Sequence, residues 1–174
     1  MSPEPRIRRE LRAGDLDNIV AHHGRLYARE YGVDESFESH VAASVARAAA
    51  RGFPGEREAI CIVERDGQHA GSIGLTDEGS EAVLRWVVLD PELRGRGLGR
   101  RLIGVMVSRA RELGYERVRL ETFSELEAAA HLYRDHGFRL VSEEVGPRWG
   151  RDRIAYQRYE LALVRPQPLA CPLV

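Results

Sequence analysis

Residues 81–100 read EAVLRWVVLDPELRGRGLGR, and this stretch decides the fold. Its first part is apolar and rich in β-branched residues, which predicts a buried strand over residues 81–89. Asp90-Pro91 is a chain breaker that ends this strand. Glycines at positions 95, 97 and 99 follow, so the strand runs through a glycine-rich loop into the next element.

The element after the loop is a helix that begins at about Leu98 and carries an apolar face at helical spacing. Gly114 ends the helix, and a further strand is predicted over residues 117–123. Two neighbouring strands that are joined through a helix lie parallel, because the connection must cross over the sheet. The sequence therefore predicts one parallel crossover unit.

The rest of the chain predicts mostly antiparallel strands and three more helices. In order, the patterns indicate a strand at 7–11, helices at about 15–31 and 35–50, strands at 58–65 and 68–75, a helix opened by a capping box at Ser124–Glu127, and strands at 138–145 and 153–164. Asp66-Gly67 is a strong hairpin turn. We expect a three-layer α+β fold with a mixed, mostly antiparallel sheet of six to seven strands, a central parallel unit and about four helices.

The size and charge of the chain limit its function classes. Its 174 residues predict a single domain over 1–174, with a core at about 6–164 and a flexible, proline-containing tail at 165–174. The formal net charge of -1 argues against nucleic-acid binding. No apolar run approaches the roughly 18 residues that a membrane span needs, so we expect no membrane partner.

The two cysteines give no sign of a metal site or a disulfide framework. Cys61 lies in an apolar run and is expected in the core, whereas Cys171 lies in the tail. Their spacing fits neither zinc binding nor paired disulfides. The N-terminus is charged and lacks the apolar run of a signal peptide. A cytoplasmic protein without a bound metal is the expectation.

The glycine-rich loop predicts a phosphate site. The N-terminus of a helix leaves amide N–H groups unpaired and carries partial positive charge, and glycine lets the backbone approach an anion closely. Taken alone, the loop is also compatible with a helix start whose arginines are merely solvated. The P-loop and the dinucleotide fingerprint fit poorly, because Gly-Lys-Ser/Thr is missing and the spacing is G-x-G-x-G.

Two motifs resemble the GNAT superfamily of N-acetyltransferases. Arg94-Gly95-Arg96-Gly97-Leu98-Gly99 matches the family pattern Arg/Gln-x-x-Gly-x-Gly/Ala, and Trp86–Pro91 is similar to the strand before it. Ala128–Phe138 resembles the second family motif, Ala-x-x-Leu-Tyr-x-x-x-Gly-Phe. The order of elements over roughly 6–164 agrees as well. The resemblance implies an acetyl-coenzyme A-dependent enzyme with acetyl-CoA as co-substrate.

A closer resemblance is to the acetyltransferase half of bacterial proteins that fuse this domain to a regulator of the multiple-antibiotic-resistance type. It rests on the segment His23–Gly32, on Leu120-x-Thr122 and on Trp149-Gly150. No winged helix precedes the domain in this sequence. A DNA-binding role is therefore not carried over.

The resemblance also implies how the donor is held. The pantetheine would pair with the backbone of Val87, Val88 and Leu89. The residues expected to hold the pyrophosphate are Arg94, Gly95, Arg96, Gly97, Leu98, Gly99 and Arg100. Many relatives place an asparagine seven residues before the catalytic tyrosine, where this chain has Leu126. Ser124 is a candidate substitute in cofactor binding, although its role as a helix cap is the simpler interpretation.

For catalysis, the resemblance implies that Tyr133 is the general acid that protonates the departing thiolate. From spacing alone Tyr133 would be a core aromatic residue. Glu121 matches a glutamate proposed as the base in ribosomal-protein alanine N-acetyltransferases, but it could equally form a salt bridge with Arg119 or Arg117. A water relay without an essential base is a further alternative.

The acceptor side is the least specified. His23, Tyr27, Glu30 and Tyr31 lie on the first helix, which borders the acceptor pocket in the family, although His23 could also be a satisfied core residue. Trp149 lies in a loop that often closes over the acceptor, or at an exposed hairpin tip. The expected acceptor is the primary amine of a small molecule or peptide, and the expected assembly is a monomer or homodimer.

Overall fold

The computed structural model describes residues 4–163, and within this range it contains seven strands and four α-helices. The strands are β1 Arg6–Arg8, β2 Ala59–Arg65, β3 Gln68–Glu78, β4 Glu81–Leu89, β5 Arg117–Phe123, β6 Arg139–Arg148 and β7 Arg151–Ala162. The helices are α1 Asp15–Tyr31, α2 Glu35–Ala50, α3 Leu98–Glu112 and α4 Glu127–Asp135, with a short 3₁₀ turn at Pro91–Leu93. The predicted tail at 165–174, which includes Cys171, lies outside the described residues.

All seven strands form one sheet in the order β1-β2-β3-β4-β5-β7-β6. β4 and β5 pair in parallel, and every other neighbouring pair is antiparallel. This confirms the predicted mixed sheet and its central parallel unit. The parallel pair is joined through α3, as the crossover rule requires.

Two apolar layers cover the faces of the sheet. On one face Leu102 and Met106 of α3 and Tyr133 of α4 pack with sheet residues, and on the other face α1 and α2 do so. Cys61 is buried in the first layer, as predicted. Burial of this much apolar surface on both faces of the sheet is the dominant stabilising contribution.

β4 contains a bulge that alternation alone does not predict. Ser72 of β3 pairs with Val88, and Gly74 pairs with Arg85, so β4 carries one extra residue between these positions. Trp86 lies at the bulge with a φ of 53°. Leu84 therefore packs in the α3 layer and Trp86 in the α1–α2 layer. In a regular strand these two residues, which are two positions apart, would lie on the same face.

Two local predictions near the ends of elements are corrected. The first strand covers only Arg6–Arg8, because the buried Arg8 guanidinium pairs with Asp15 (Nη1–Oδ2 2.8 Å) and the chain turns into α1. The capping box is wrong: Leu126 is the N-cap residue of α4 and no side chain caps it. The backbone N–H of Ser124 instead donates to the carbonyl of Ala155 on β7, at 2.9 Å.

The last two strands are longer at their shared turn than predicted. β6 runs to Arg148 and β7 starts at Arg151, so the predicted loop at 146–152 shrinks to the turn Trp149-Gly150. Both turn residues have positive φ, 52° and 76°, which suits a two-residue hairpin turn whose twist matches the strands.

Candidate active site

β4 and β5 separate halfway along their length. The segment Glu81–Leu84 of β4 pairs with Arg117–Leu120 of β5, and the pairing stops there. The remaining half of each strand therefore has an edge that faces a gap. The bulge at Trp86 directs β4 away from β5. Trp86 is held from the other side, because its Nε1 donates to Ser44 Oγ of α2 at 2.9 Å.

A cleft with a cavity volume of about 120 Å³ opens at this gap. Side chains from both helical layers and from the β6–β7 turn contribute to it. The lining residues include His23, Tyr27, Phe37, His40, Arg85, Trp86, Val87, Glu121, Thr122, Phe123, Tyr133, Trp149 and Tyr156. A cleft between two splayed strands, lined by aromatic residues and a few polar groups, is a typical small-ligand site.

Tyr133 lies in this cleft and is buried, with 4% of its surface exposed. It extends from α4, and its ring lies near those of Phe138 and Tyr159. Burial raises the pKa of the Tyr133 phenol well above its usual value, and Tyr159 adds to the shift. The phenol therefore keeps its proton at neutral pH and is a potential proton donor.

The loop after β4 ends at an uncapped helix N-terminus. Gly97 is the N-cap residue of α3, with a φ of 77°, and no side chain caps the helix there. The first turn of α3 contains no acidic residue, and the loop carries Arg94 and Arg96. Free amide groups, the helix dipole and nearby guanidinium groups together favour an anion.

Two of the predicted acceptor residues on α1 line the cleft. His23 is buried, its Nδ1 lies 2.8 Å from the Ile19 carbonyl, and burial lowers its pKa to about 4. Tyr27 stacks on Phe37 with ring centroids 4.7 Å apart, and its hydroxyl donates to the carbonyl of Val87 at 3.5 Å. Both are well-packed core residues that also border the gap.

The other two predicted residues on α1 are not among those that line the cleft. Glu30 forms an ion pair with Arg94, with Nη2 and Oε2 3.0 Å apart. Tyr31 packs its ring against Tyr27 and Phe123, with centroids 5.3 Å away in both cases. Glu30 therefore connects α1 to the glycine-rich loop, and Tyr31 supports the aromatic wall.

Glu121 lies at the mouth of the cleft on β5. It accepts a hydrogen bond from the Tyr156 hydroxyl at 2.8 Å, and Arg119 Nη1 lies 3.6 Å from its carboxylate. Burial raises the pKa of Tyr156, and the neighbouring Glu121 carboxylate raises it further. The predicted alternative, a salt bridge between Glu121 and Arg119, is thus present, but the Glu121 carboxylate still borders the cleft.

Trp149 turns inward rather than forming an exposed tip. Its ring lies near those of Phe37, His40 and Phe123, and Arg148 stacks beside it. Its carbonyl accepts a hydrogen bond from the N–H of Asp34, at 3.0 Å, which attaches the hairpin turn to the α1–α2 junction. The β6–β7 turn therefore forms one wall of the cleft.

Several cleft residues carry no motif that marks them in the sequence. His40, Arg85 and Tyr156 come from α2, β4 and β7, far apart along the chain. Alternation along β7 could have shown that Tyr156 and Arg158 share a face, but not that this face borders Glu121. That follows from the register of β5 and β7, in which Phe123 pairs with Tyr156.

Within residues 4–163, no group of three or more His, Cys, Asp or Glu side chains is placed to hold a metal ion. The same part of the chain contains no helix that is long and apolar enough to cross a membrane.

Comparison with known proteins gives the family. Residues 24–138 match the model of the acetyltransferase (GNAT) family, which is more than half of the chain. The chain therefore belongs to the GNAT acetyltransferase family.

Two curated relatives share moderate identity with parts of the chain. The uncharacterized N-acetyltransferase YjgM of Escherichia coli is 34% identical over 92 residues, which cover 51% of this chain and 55% of that protein. The amino-acid acetyltransferase of Mannheimia succiniciproducens is 31% identical over 107 residues, which cover 60% of this chain and 24% of that protein. The matches thus span about half or less of these relatives.

Solved structures share the fold. A Salmonella typhimurium acetyltransferase, solved with its cofactor acetyl-CoA, is 20% identical with a TM-score of 0.71, covering 97% of this chain and all of that one. The ribosomal-protein-S18-alanine N-acetyltransferase of Escherichia coli is also 20% identical, with a TM-score of 0.67 and coverage of 98% and 100%. At such identities the likeness establishes the fold alone.

The residues of the cleft fit acetyl-CoA. The uncapped N-terminus of α3 and its glycine-rich loop suit a pyrophosphate. Beyond Leu84 no strand pairs with β4 on the β5 side, so its backbone edge faces the gap, where a pantetheine arm could pair. The Thr122 hydroxyl is buried in the same gap and has no hydrogen-bond partner among the described residues. A ligand or a water molecule that enters the gap would supply the missing partner.

Proposed function

We propose that this chain is an acetyl-CoA-dependent N-acetyltransferase that transfers the acetyl group directly to a primary amine of a small molecule or peptide. One observation carries the proposal: the half of β4 that is unpaired toward β5 leads from the cleft that Tyr133 lines to the glycine-rich loop at the uncapped N-terminus of α3. A donor with a phosphate end and a thioester end needs an anion site and a proton donor at the two ends of one strand edge.

The donor is held mainly by backbone groups. Val87, Val88 and Leu89 lie on the half of β4 that is unpaired toward β5, and they offer amide and carbonyl groups to pantetheine. The pyrophosphate lies on the N–H groups of the segment Gly95–Arg100, where the dipole of α3 favours negative charge. Arg94 and Arg96 add positive charge nearby. Ser124 is free of a capping role and lies close to the start of α4.

The acetyl group reaches the amine through a tetrahedral oxyanion. Acetyl-CoA supplies the activated thioester when bound. A backbone N–H of the splayed β4 stabilises the oxyanion, and Tyr133 donates its proton to the departing thiolate sulfur. The raised pKa of Tyr133 keeps the phenol protonated for this step.

Glu121 is the proposed base. An alkyl amine with a pKa near 10.4 is mostly protonated at neutral pH and must lose a proton before attack. Among the described residues that line the cleft, Glu121 is the one carboxylate. It takes this proton directly or through a water molecule, and Arg119 and Tyr156 hold its orientation.

The acceptor is bordered by His23, Tyr27 and Trp149. Tyr31 packs against Tyr27 outside the cleft, and Glu30 pairs with Arg94. Relatives named as amino-acid and mycothiol acetyltransferases support a small-molecule acceptor. A single domain, a cytoplasmic location and a monomeric or homodimeric state stay predictions. The closer relation to regulator fusions also stays a prediction.

Thermal unfolding with increasing acetyl-CoA tests donor binding. A ligand at 100 times its Kd stabilises the fold by about 2.7 kcal/mol, so Tm should rise with concentration. ATP at equal concentrations is the control, because it carries phosphates but no thioester arm. An unchanged Tm at millimolar acetyl-CoA, or an equal rise with ATP, would contradict the proposal.

Thiol release with a panel of amines then tests turnover. The enzyme should release CoA faster with at least one primary amine than without acceptor. Tight binding of acetyl-CoA without release with any amine would instead indicate a binding module.

A further inference from the structure

Arg148 places an unneutralised positive charge beside the cleft, behind two of the rings that line it. Its guanidinium lies 4.2 Å from the ring centroid of Tyr156 and 5.5 Å from that of Trp149, and both rings line the cleft. No carboxylate of residues 4–163 lies within ion-pair distance of it. Stacking on aromatic rings fixes the plane of a guanidinium and leaves its N–H edge available for a planar, two-oxygen partner.

Other guanidinium groups near the cleft already have acidic partners. Arg85 lines the cleft with Nη2 3.4 Å from Glu78. Arg119 lies between Glu81 and Glu121, at 3.5 and 3.6 Å. Of the three guanidinium groups, Arg148 is therefore the one without an acidic partner among residues 4–163.

This unpaired positive charge discriminates between acceptor classes. A polyamine would bring a further positive charge toward Arg148 and would be repelled there. An amine that also carries a carboxylate would present a counter-ion to Arg148. Such charge complementarity contributes to specificity, because unlike partners are selected and like charges are rejected.

The geometry also sets the spacing between the Glu121 carboxylate and the Arg148 guanidinium. Tyr156 contacts both charges: its hydroxyl donates to Glu121 at 2.8 Å, and its ring face carries Arg148. The acidic and basic groups are thus separated by about one tyrosine side chain. A compact molecule with its amine near Glu121 and its carboxylate near Arg148 matches this separation.

We infer that the acceptor is a small zwitterion, an amine with a nearby carboxylate such as a free amino acid, whose carboxylate binds Arg148. The inference rests on the proposed function and names its substrate class. Arg148 is then a specificity-determining residue. The turn Trp149-Gly150, attached through the Asp34 N–H to the Trp149 carbonyl, keeps it in place.

Matched acceptors test the class. The twenty standard amino acids, their amides and their decarboxylated amines are compared by CoA release, with spermidine and O-phosphoethanolamine as further arms. The best free acid should exceed its own amide at least tenfold in kcat/KM. Basicity does not explain such a preference, because the amide has the less basic and therefore more often neutral amine.

Substitution of Arg148 tests the residue. Arg148→Gln should raise KM for the acid at least tenfold and bring acid and amide to similar kcat/KM, whereas Arg148→Lys should restore part of the preference. Arg139→Gln is the matched control, because Arg139 is an exposed arginine at the other end of β6. Tm of each variant reports whether the fold is retained.

The outcomes separate this inference from the proposed function. Turnover of amides, simple amines or spermidine at rates equal to the acids would overturn the inference and leave the acetyltransferase proposal standing. A preference for O-phosphoethanolamine would mean that the group bound by Arg148 is a phosphate rather than a carboxylate, and this result would also overturn the inference. Acetyl-CoA binding with no turnover of any free acid would count against the zwitterion, whereas absence of acetyl-CoA binding would remove the proposed function itself.

Discussion

Arg94 and Glu30 connect the glycine-rich loop to α1 through a bidentate ion pair. Arg94 Nη1 and Nη2 lie 3.1 and 3.0 Å from the two oxygens of Glu30, and its Nε donates to the Leu89 carbonyl at 3.1 Å. One side chain therefore links the end of β4, the loop and α1. Arg94 is 42% exposed, so its main effect is on orientation rather than on stability.

Glu30→Gln should weaken acetyl-CoA binding by a few-fold and change the free energy of unfolding by less than about 1 kcal/mol. The neutral amide keeps the shape but loses the charge-assisted pair that orients the loop. Titration calorimetry and urea unfolding measure the two effects. Glu112→Gln, which removes the exposed pair with Arg109 on α3, should leave Kd unchanged; an equal loss in both variants would contradict a specific role for Glu30.

Gly97→Ala should destabilise the fold by about 1–2 kcal/mol, because Gly97 has a φ of 77° that L-residues adopt at a cost. A Cβ there meets no atom within 4 Å, so the cost is in the backbone alone. Acetyl-CoA binding should weaken more than tenfold, since the amide groups of the loop are redirected.

Gly114→Ala is the matched control for Gly97. Gly114 has a φ of 76° and equally open surroundings, but lies beyond the other end of α3. It should lose similar stability with an unchanged Kd for acetyl-CoA. If both variants bind equally well after correction for folding, the loop does not hold the pyrophosphate.

Tyr133→Phe should lower kcat by about 10²-fold or more, the scale of a lost general acid, with Kd for acetyl-CoA and Tm little changed. Tyr159→Phe is the control: its ring lies 6.1 Å from that of Tyr133 and it is equally buried, but it does not line the cleft. Comparable losses of kcat in both variants would show that packing, rather than proton donation, is what Tyr133 contributes.

The stability of the fold should fall as pH decreases from about 6.5 to 4. Burial lowers the pKa of His23 and of His69 to about 4, below the ordinary value of 6.5. In this pH window the two histidines are protonated in the unfolded chain but stay neutral in the folded chain. The free energy of unfolding therefore decreases by about 1.4 kcal/mol per pH unit for each such proton. Urea unfolding at several pH values measures this slope.

His23→Gln should reduce that slope, because it removes one of the groups responsible. His131→Gln is the control, since the His131 side chain is 68% exposed. An unchanged slope in His23→Gln would mean that His23 titrates alike in both states.

Local signals accounted for the unit around the glycine-rich loop. An apolar run, Asp90-Pro91 and closely spaced glycines act within a few residues of each other, so the predicted strand at 81–89 and the helix start at Leu98 agree with the structure. The predicted capping box at Ser124–Glu127 was wrong because a contact between distant segments overrides the local signal. Ser124 is engaged through its backbone by Ala155, which is distant in sequence.

By itself, the sequence determined the order of elements, the central parallel unit and the loop that suits a phosphate-bearing donor, because these depend on local periodicity and turn chemistry. Only the tertiary structure decided which side chains border the gap. Trp86 adopts a φ of 53°, against its own preference, while it packs against Phe53 and donates to Ser44. The pairing register of β5 and β7 brings Tyr156 to Glu121. Both depend on contacts between distant segments, which no local pattern encodes.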